Sequence, residues 1–368
     1  MASRRRGKAR GGSLRFGGLP EGVQMKVLVT GHNGYIGSVM VSVLRHAHFE
    51  VVGLDCDLFH GCDFGRIQEA IPSVDVDLRD VEVTDLFSFD AVVHLATLPE
   101  ASSTDLDATV FAEINEVATL RLAECCKRAG VSRFVYASSC GVYGRTGDEW
   151  LDEASPTAPP TPYTQGKVRC EQALASLVDG TFTAVVLRNA NVYGVSPRFR
   201  TDLIVNNFVA AGVVTGRVLL RSDGSAWRPV VHIEDLARAY AAVLAAPADL
   251  VAGEIFNVSS SDENYRVIEI ADAVTEWVPH CTRAVSRYTH DEPSYRVSGA
   301  KFAETFPDYS FRWTLVEGIR QLRNAMCGAG LTPGEWRSDR YRRAMRLQTL
   351  IERGGVNGKL RRSRPAVA

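Results

Sequence analysis

The sequence predicts an α/β fold built on a doubly wound parallel sheet, followed by a smaller second lobe. Apolar strand-like runs alternate with helix-like segments through the first half of the chain, and these strands are apolar throughout instead of alternating with polar residues. Strands buried on both faces are typical of a parallel sheet covered by helices on each side. With 368 residues, 45% of them hydrophobic, the chain can form one large core or two joined ones.

The predicted elements follow in chain order. In the first domain, residues 25–189, they are strand 26–30, helix 35–47, strands 50–55, 73–77 and 90–96, helix 106–129, strand 133–138, helix 163–177 and strand 182–188. The pattern loosens in the second lobe, residues 190–328, with helices near 202–211, 234–246, 265–277 and 314–325 and short strands near 217–220, 229–232 and 255–258. Elements of the two parts can interleave in space.

The two ends of the chain are basic, whereas the body between them is acidic. Residues 1–24 carry six Lys/Arg and one acid, and residues 329–368 carry ten Lys/Arg and three acids, within a net charge of -1. Basic runs can contact nucleic acid or membrane surfaces, but they are more often solvated ends. We therefore expect a flexible basic N-terminal extension at 1–24, a basic C-terminal tail at 329–368, and neither a nucleic acid nor a membrane as partner.

Composition also bounds location and cofactor chemistry. No apolar run approaches the roughly 20 residues that span a bilayer, and the arginine-rich N-terminus lacks the apolar segment of a secretory signal. These features predict a cytoplasmic protein. The eight cysteines show neither CxxC spacing nor histidines at metal-ligand intervals, so we predict no metal site and no disulfide framework.

A glycine-rich turn follows the first strand directly. In "GHNGYIGS" Gly31, Gly34 and Gly37 recur every third residue where the strand stops and a helix begins. This arrangement lets a pyrophosphate approach backbone N–H groups and the positive end of a helix dipole, as in Rossmann-type domains. Asp55 ends the second strand about twenty residues later, where a carboxylate accepts from ribose hydroxyls and repels a 2′-phosphate, which favours NAD over NADP. Asp55 as a turn or capping residue is the alternative.

A tyrosine and a lysine are spaced for proton transfer. In "YTQGK" Tyr163 and Lys167 are four residues apart, so on a helix they share a face. A neighbouring ammonium stabilises a phenolate, which can then act as a general base, and a serine at the end of strand 133–138 would complete a site for a secondary alcohol. Such a pair is often a surface pair, but its position after the glycine turn and Asp55 favours the catalytic interpretation.

Ten segments, which include the two motifs above, are spread over most of the chain. They are VLVTGHNGYIG, VVGLD, VDLRD, VVHLA, INEVATLRL, FVYASSCGVYG, PYTQGK, LRNANVYG, RPVVHIEDLARAY and FNVSS. From about Lys26 to about Leu322 the sequence thereby resembles the extended short-chain dehydrogenase/reductase superfamily, in its NAD-dependent nucleotide-sugar epimerase/dehydratase group. The resemblance implies a Rossmann-type NAD-binding domain, a C-terminal substrate-binding lobe, a nucleotide-sugar substrate and a homodimer.

The resemblance also implies a role for individual residues. It makes Tyr163 the acid/base, Lys167 the residue that activates it and grips the cofactor ribose, and Ser139 the serine that holds the reacting alcohol. The implied NAD contacts are Gly31, Asn33, Gly34, Tyr35, Ile36, Gly37, Asp55, Asp77, Leu78, Leu95, Ala96, Asn115, Tyr163 and Lys167. The implied substrate contacts are Ser139, Cys140, Asn191, Arg228 and Tyr295.

One departure from the family pattern bears on the reaction. In the related 4,6-dehydratases an Asp-Glu pair follows the catalytic serine or threonine, whereas Cys140 and Gly141 stand there in this chain. We therefore expect epimerisation, most simply at C4 through a transient ketone. The alternatives are a nucleotide-sugar dehydrogenase, ketoreductase or dehydratase, and a non-catalytic NAD-binding regulatory protein. Cys140 is either a proton carrier near a ketone or a small buried residue.

Overall fold

A seven-stranded parallel sheet forms the centre of the molecule. The structure is a computed structural model that describes residues 24–65, 70–98, 107–144, 147–286 and 293–362. Apart from residue 24, the predicted N-terminal extension lies outside these ranges.

The first part of the chain alternates strands and helices as the sequence predicts. In order they are β1 (Lys26–Thr30), α1 (Tyr35–His46), β2 (Glu50–Leu54), β3 (Ser73–Val74), β4 (Ala91–His94), α2 (Ala108–Ala112), α3 (Ala118–Ala129), β5 (Arg133–Ser139), β6 (Trp150–Leu151), α4 (Pro162–Leu177) and β7 (Thr183–Asn189). A π-helical turn, Glu113–Val117, joins α2 to α3, so the predicted helix 106–129 is continuous but irregular. Helix α4 begins after Thr161, whose hydroxyl accepts from the Thr164 N–H.

The remaining elements belong partly to the first domain and partly to the second lobe. They are β8 (Asn191–Tyr193), α5 (Ile204–Thr215), β9 (Arg217–Leu220), β10 (Trp227–His232), α6 (Ile233–Ala245), α7 (Ala248–Val251), β11 (Ile255–Val258), β12 (Asn264–Arg266), α8 (Val267–Trp277), β13 (Thr282–Val285), β14 (Arg296–Val297), α9 (Ala300–Thr305), α10 (Leu315–Gly328), α11 (Pro333–Trp336) and α12 (Arg343–Glu352).

The sheet confirms the predicted fold class. Its strands run in the order β11-β7-β5-β4-β1-β2-β3, and every neighbouring pair is parallel. The chain moves outward from β1 in one direction through β2 and β3, then returns and moves outward in the other direction from β4. This reversal opens a crevice at the carboxyl ends of β1 and β4, where doubly wound sheets bind their ligands.

Helices cover both faces of the sheet. On one face α1 and α6 pack together, with Met40, Leu44 and Tyr240 among the side chains withdrawn from solvent. On the other face α3 and α4 meet over Leu122 and Leu174. Two elements from the second half of the sequence, α6 and β11, therefore complete the first domain, since α6 packs on α1 and β11 pairs with β7.

The second lobe has its own apolar core between α5, α8 and α10. Val209, Ile270 and Ile319 are fully buried there. A three-stranded sheet, β12-β10-β8, links this lobe to the end of β7, and Asn191 of β8 is paired with Val230 of β10.

The C-terminal residues differ from the expected solvated tail. Residues 333–362 include α11 and α12 and return to the first domain. Trp336 is 8% exposed, Leu347 is fully buried and Leu360 is 2% exposed, because they pack against side chains of both domains. The many arginines of this segment bind backbone carbonyls and carboxylates of the body, so charge alone did not indicate an unstructured end.

Among the described residues, every helix is too short or too polar to serve as a membrane span.

A buried histidine predicts acid sensitivity. The His94 ring is 1% exposed, its Nδ1 lies 2.7 Å from the Thr30 hydroxyl and its Nε2 lies 2.8 Å from the Thr119 hydroxyl. Burial, with the Lys167 ammonium nearby, lowers the pKa of His94 to about 3. Below about pH 6.5 the unfolded chain takes up a proton that the folded protein resists, so the free energy of unfolding falls as pH falls.

We expect this effect to cost about 2 kcal/mol between pH 7.5 and pH 5.0. Urea unfolding at the two pH values measures it. The His94→Gln protein should be less stable than the parent at pH 7.5, but its free energy of unfolding should fall less between pH 7.5 and pH 5.0. The control His46→Gln, at an exposed site, should behave as the parent. An identical pH dependence in His94→Gln and the parent would contradict the assignment.

Candidate active site

The glycine turn between β1 and α1 is set by close backbone packing. Gly31 has φ +73°, and a Cβ there would lie 2.8 Å from the Ala96 nitrogen. A Cβ at Gly37 would lie 2.1 Å from the Gly31 carbonyl oxygen, so α1 can approach the turn only without a side chain. Gly34 is the N-cap of α1, with no side-chain hydrogen bond at the cap. Gly31 and Gly37 are thus required by the fold itself, besides any approach of phosphates.

Asp55 connects the glycine turn to the loop after β2. Its Oδ2 accepts from the Asn33 N–H at 3.0 Å and its Oδ1 accepts from the Asp57 N–H at 2.8 Å. Burial raises the pKa of Asp55 above its ordinary value. The carboxylate therefore does have the local turn-stabilising role that the sequence left open as an alternative, and it also faces the crevice.

The crevice beside the turn brings together most of the expected cofactor residues. Its walls include Gly31, Gly34, Tyr35, Ile36, Gly37, Asp55, Asp77, Leu78, Leu95 and Ala96. Asn115 lies behind the wall, where its amide binds the backbone N–H and carbonyl of Leu98 at 2.8 and 3.2 Å. It therefore shapes the loop after β4. The Asp77 carboxylate accepts from Nε and Nη2 of Arg79 at 2.9 and 2.6 Å, which holds the loop after β3 in place.

Tyr163, Lys167 and Ser139, the expected proton-transfer residues, lie where β5 ends and α4 begins. Lys167 is 4% exposed, and its Nζ donates to the Ala137 carbonyl at 2.7 Å and lies 5.5 Å from the centre of the Tyr163 ring. Ser139 is the last residue of β5, and its Oγ accepts from the Gly141 N–H at 3.1 Å. The strand end and the first two turns of the helix thus fix a hydroxyl, a phenol and an ammonium at one edge of the sheet.

Side chains from the second lobe face the same edge. Asn191 donates to the Pro229 carbonyl at 2.9 Å and also bonds the Tyr295 side chain. Burial raises the pKa of Tyr295 to about 12, although the nearby Arg228 guanidinium opposes the rise. A Cβ at Gly141 would lie 3.9 Å from the Tyr295 hydroxyl and 3.2 Å from the Ser139 Oγ. Arg228, Asn191 and Tyr295 are therefore neighbours, and the Tyr295 hydroxyl lies near Ser139.

Cys140 differs from the expected substrate contact. It is 1% exposed, and its Sγ donates to the Arg188 carbonyl at 3.2 Å within a small core that includes Tyr143 and Val297. Burial raises the pKa of the thiol well above its ordinary range, so the thiolate is disfavoured. Of the two interpretations that the sequence allowed, the structure matches the small buried residue.

Several residues of the site carried no sequence signal. Leu58, Phe59, Leu98, Arg200, Arg343 and Leu360 line the crevice as well. A buried ion pair lies next to Ser138, where the Arg188 Nη2 is 2.7 Å from the Glu171 Oε2 and the Ser138 hydroxyl donates to Glu171. The spacing of residues within one helix cannot reveal such partners, because Arg188 lies on β7 and is brought next to β5 by strand pairing.

The fold and this site define a class of protein. Residues 27–259 match the NAD dependent epimerase/dehydratase family, and the chain belongs to that family. It is accordingly an enzyme of the extended short-chain dehydrogenase/reductase type, with NAD as its cofactor. The glycine turn, Asp55 and the loops after β3 and β4 fit a dinucleotide, since backbone N–H groups, a carboxylate and apolar walls face one crevice.

Individual relatives catalyse different reactions. The chain is 26% identical to human dTDP-D-glucose 4,6-dehydratase, over 71% of this chain and 76% of the relative. It is 32% identical to the UDP-glucose 4-epimerase of Azospirillum brasilense, over 60% of this chain and 68% of the relative. The structure of MoeE5 in complex with UDP-glucuronic acid and NAD is 26% identical, with a TM-score of 0.71, and matches 83% of this chain and 99% of MoeE5.

Proposed function

We propose that this protein is an NAD-dependent nucleotide-sugar epimerase that inverts C4 through a transient ketone. One observation carries the choice of reaction: after Ser139 come a buried thiol, Cys140, and a glycine, Gly141. Elimination of water needs an acid and a base of its own beside the sugar. Neither position can supply one here, which leaves Tyr163 as the proton-transfer group at this strand end.

Three residues would handle the reacting alcohol. Tyr163 would take the proton of the C4 hydroxyl as the ketone forms, and after the sugar turns it would return the proton to the same oxygen while the hydride adds to the opposite face of C4. Ser139 holds the same oxygen by a hydrogen bond through both steps. Lys167, anchored on the Ala137 carbonyl at 2.7 Å, keeps a positive charge beside the phenol and the adjoining cofactor ribose. NAD supplies the hydride acceptor and donor, so no net oxidation results.

The second lobe would hold the nucleotide part of the substrate. MoeE5, which matches 83% of this chain, was solved with UDP-glucuronic acid, and UDP-sugars are therefore the first substrates to test. A guanidinium can bind diphosphate oxygens through two parallel hydrogen bonds, and Arg228 is the cation next to Asn191 and Tyr295.

A mass-spectrometric assay in D2O distinguishes the reactions. The purified protein is incubated with UDP-glucose, UDP-glucuronic acid and dTDP-glucose, each deuterated at C4. Epimerisation gives an isomer that separates from the substrate on chromatography, has the same mass and keeps the C4 deuterium, because the hydride returns to the carbon it left. Loss of water would indicate a dehydratase, and accumulation of NADH with an oxidised sugar would indicate a dehydrogenase. Either result would overturn the proposed reaction.

Loss of Arg228 should weaken substrate binding selectively. Its Nη1 donates to the Trp227 carbonyl at 2.9 Å and to the Pro293 carbonyl, which orients the guanidinium beside Tyr295. We expect Arg228→Ala to raise the KM for the nucleotide sugar by about 10- to 100-fold, because charge-assisted bonds to the non-reacting diphosphate are lost. Steady-state kinetics measure this, and NAD affinity should stay within about twofold.

The matched control is Arg217→Ala, an exposed arginine of the same lobe, which should leave KM unchanged. A folded Arg228→Ala protein with the parent's KM would mean that the diphosphate is bound elsewhere.

A further inference from the structure

The C-terminal segment, residues 333–362, packs on the loops that form the cofactor crevice. Leu347 of α12 and Leu360 share one apolar cluster with Leu58, which follows β2, and Leu98, which follows β4. Leu360 also lines the crevice. The segment is fastened beyond α12, since the Arg79 Nη1 donates to the Lys359 carbonyl at 2.9 Å.

Arg343, the first residue of α12, is one of the residues that line this crevice. Its side chain is 2% exposed and lies over the Phe59 ring, with Cζ 4.2 Å from the ring centre. Its Nη2 donates to the Arg198 carbonyl at 2.8 Å. Its Nη1 is equally enclosed but has no hydrogen-bond partner. One strong donor beside the crevice is therefore left unpaired, which is uncommon for a buried polar group.

The charges around Arg343 are unbalanced. Within the described part of the chain, no carboxylate lies within ion-pair distance of Arg343. The facing acid, Asp202, is already bound by Arg200 at 2.9 Å, while Arg198 faces Asp57 and Asp63. Burial and the like charge of Arg200 lower the pKa of Arg343 to about 10. Holding an uncompensated cation there is unfavourable unless an anion joins it.

We propose that Arg343 is a cofactor-binding residue whose Nη1 donates to the pyrophosphate of NAD, and that its segment closes the crevice over the dinucleotide through Leu360. Arg343 and Arg200 line the same crevice as Gly31 and Gly34 of the glycine turn. Arg200 also lies close enough to Tyr35, the first residue of α1, to affect its titration. The inference rests on NAD as cofactor and not on which sugar reaction follows.

Binding measurements on protein stripped of nucleotide test this assignment. Arg343→Gln should weaken the binding of NAD and of ADP by the same factor, about 10- to 100-fold, because both ligands contain the two phosphates. Its affinity for adenosine, which has no phosphate, should not change. Arg353→Gln, an exposed arginine just past the same helix, is the matched control and should bind all three ligands as the parent does. Calorimetric titration with each ligand gives the dissociation constants.

Thermal unfolding separates binding from a structural role. If Arg343 binds pyrophosphate, Arg343→Gln keeps the melting temperature of the nucleotide-free protein but shrinks the increase caused by saturating NAD. Arg343→Lys retains the charge but loses the planar guanidinium, so its NAD-induced increase in melting temperature should lie between those of the parent and Arg343→Gln. Two results would overturn the proposal: an NAD affinity within twofold of the parent, or a loss of adenosine binding equal to the loss of NAD binding.

Discussion

Replacing Tyr163 by phenylalanine should lower kcat by about 10²- to 10⁴-fold while NAD stays bound, because the change removes the proton-transfer hydroxyl and keeps the ring. The Lys167 Nζ would still donate to the Ala137 carbonyl, and the start of α4 would still be capped by Thr161. Steady-state kinetics with the substrate found in the deuterium assay, together with NAD titration, measure the two effects separately.

The matched control for this experiment is Tyr309→Phe. The Tyr309 hydroxyl donates to the Asp235 carbonyl at 2.7 Å, on the α6 side of the sheet, so its loss should change stability but not kcat. Lys167→Ala should weaken NAD binding as well as kcat, since the buried ammonium serves both. A Tyr163→Phe enzyme with turnover near that of the parent would refute the assigned acid/base.

Replacing Arg188 by methionine should reduce the free energy of unfolding by about 3–5 kcal/mol, because it leaves a buried carboxylate without its cation. Arg188 binds Glu171 through Nη2 at 2.7 Å and Nε at 3.2 Å, and its Nη1 donates to the Tyr143 hydroxyl at 3.0 Å. The side chains of Arg188 and Glu171 are 5% and 4% exposed. Urea unfolding at pH 7.5 measures the loss.

A more exposed ion pair provides the comparison; its arginine, Arg169, lies on α4, the helix that carries Glu171. Arg169 lies 2.6 Å from Glu116, but its side chain is 51% exposed, so Arg169→Met should cost at most about 1 kcal/mol. Adding Glu171→Gln to the Arg188→Met protein should restore part of the stability by removing the stranded charge. Equal decreases in the free energy of unfolding for Arg188→Met and Arg169→Met would contradict the expectation that a buried carboxylate without its cation is more destabilising than an exposed one.

The fold class and the main motifs could be predicted from the sequence because each depends on the spacing of residues within short segments. The glycine turn is defined by three positions between a strand and a helix, and Tyr163 and Lys167 are brought together by a single turn of α4. The domain division was less predictable. Strand β11 and helix α6 come late in the chain, yet they belong to the first domain. Strand β11 pairs with β7 at the edge of the sheet, and α6 packs on one face of the sheet.

The reason for a motif was harder to predict than its presence. Gly37 was expected to make room for phosphate, and the structure shows that a Cβ would meet the Gly31 carbonyl oxygen. Cys140 was left open between a chemical and a packing role. Its complete enclosure beneath Arg188 could not be inferred from neighbours in sequence, since the enclosing carbonyl comes from β7.

By itself the sequence determined the parallel sheet, the dinucleotide turn and the Tyr163–Lys167 pair, since periodicity and short-range spacing are properties of consecutive residues. Only the tertiary structure decided that Arg188 neutralises Glu171 and that Arg343 reaches the cofactor crevice. A basic segment near the end of a chain has the composition of a solvated tail. The burial of Leu347 and Leu360 is what draws it onto the first domain, and apolar packing between distant segments leaves no local pattern in the sequence.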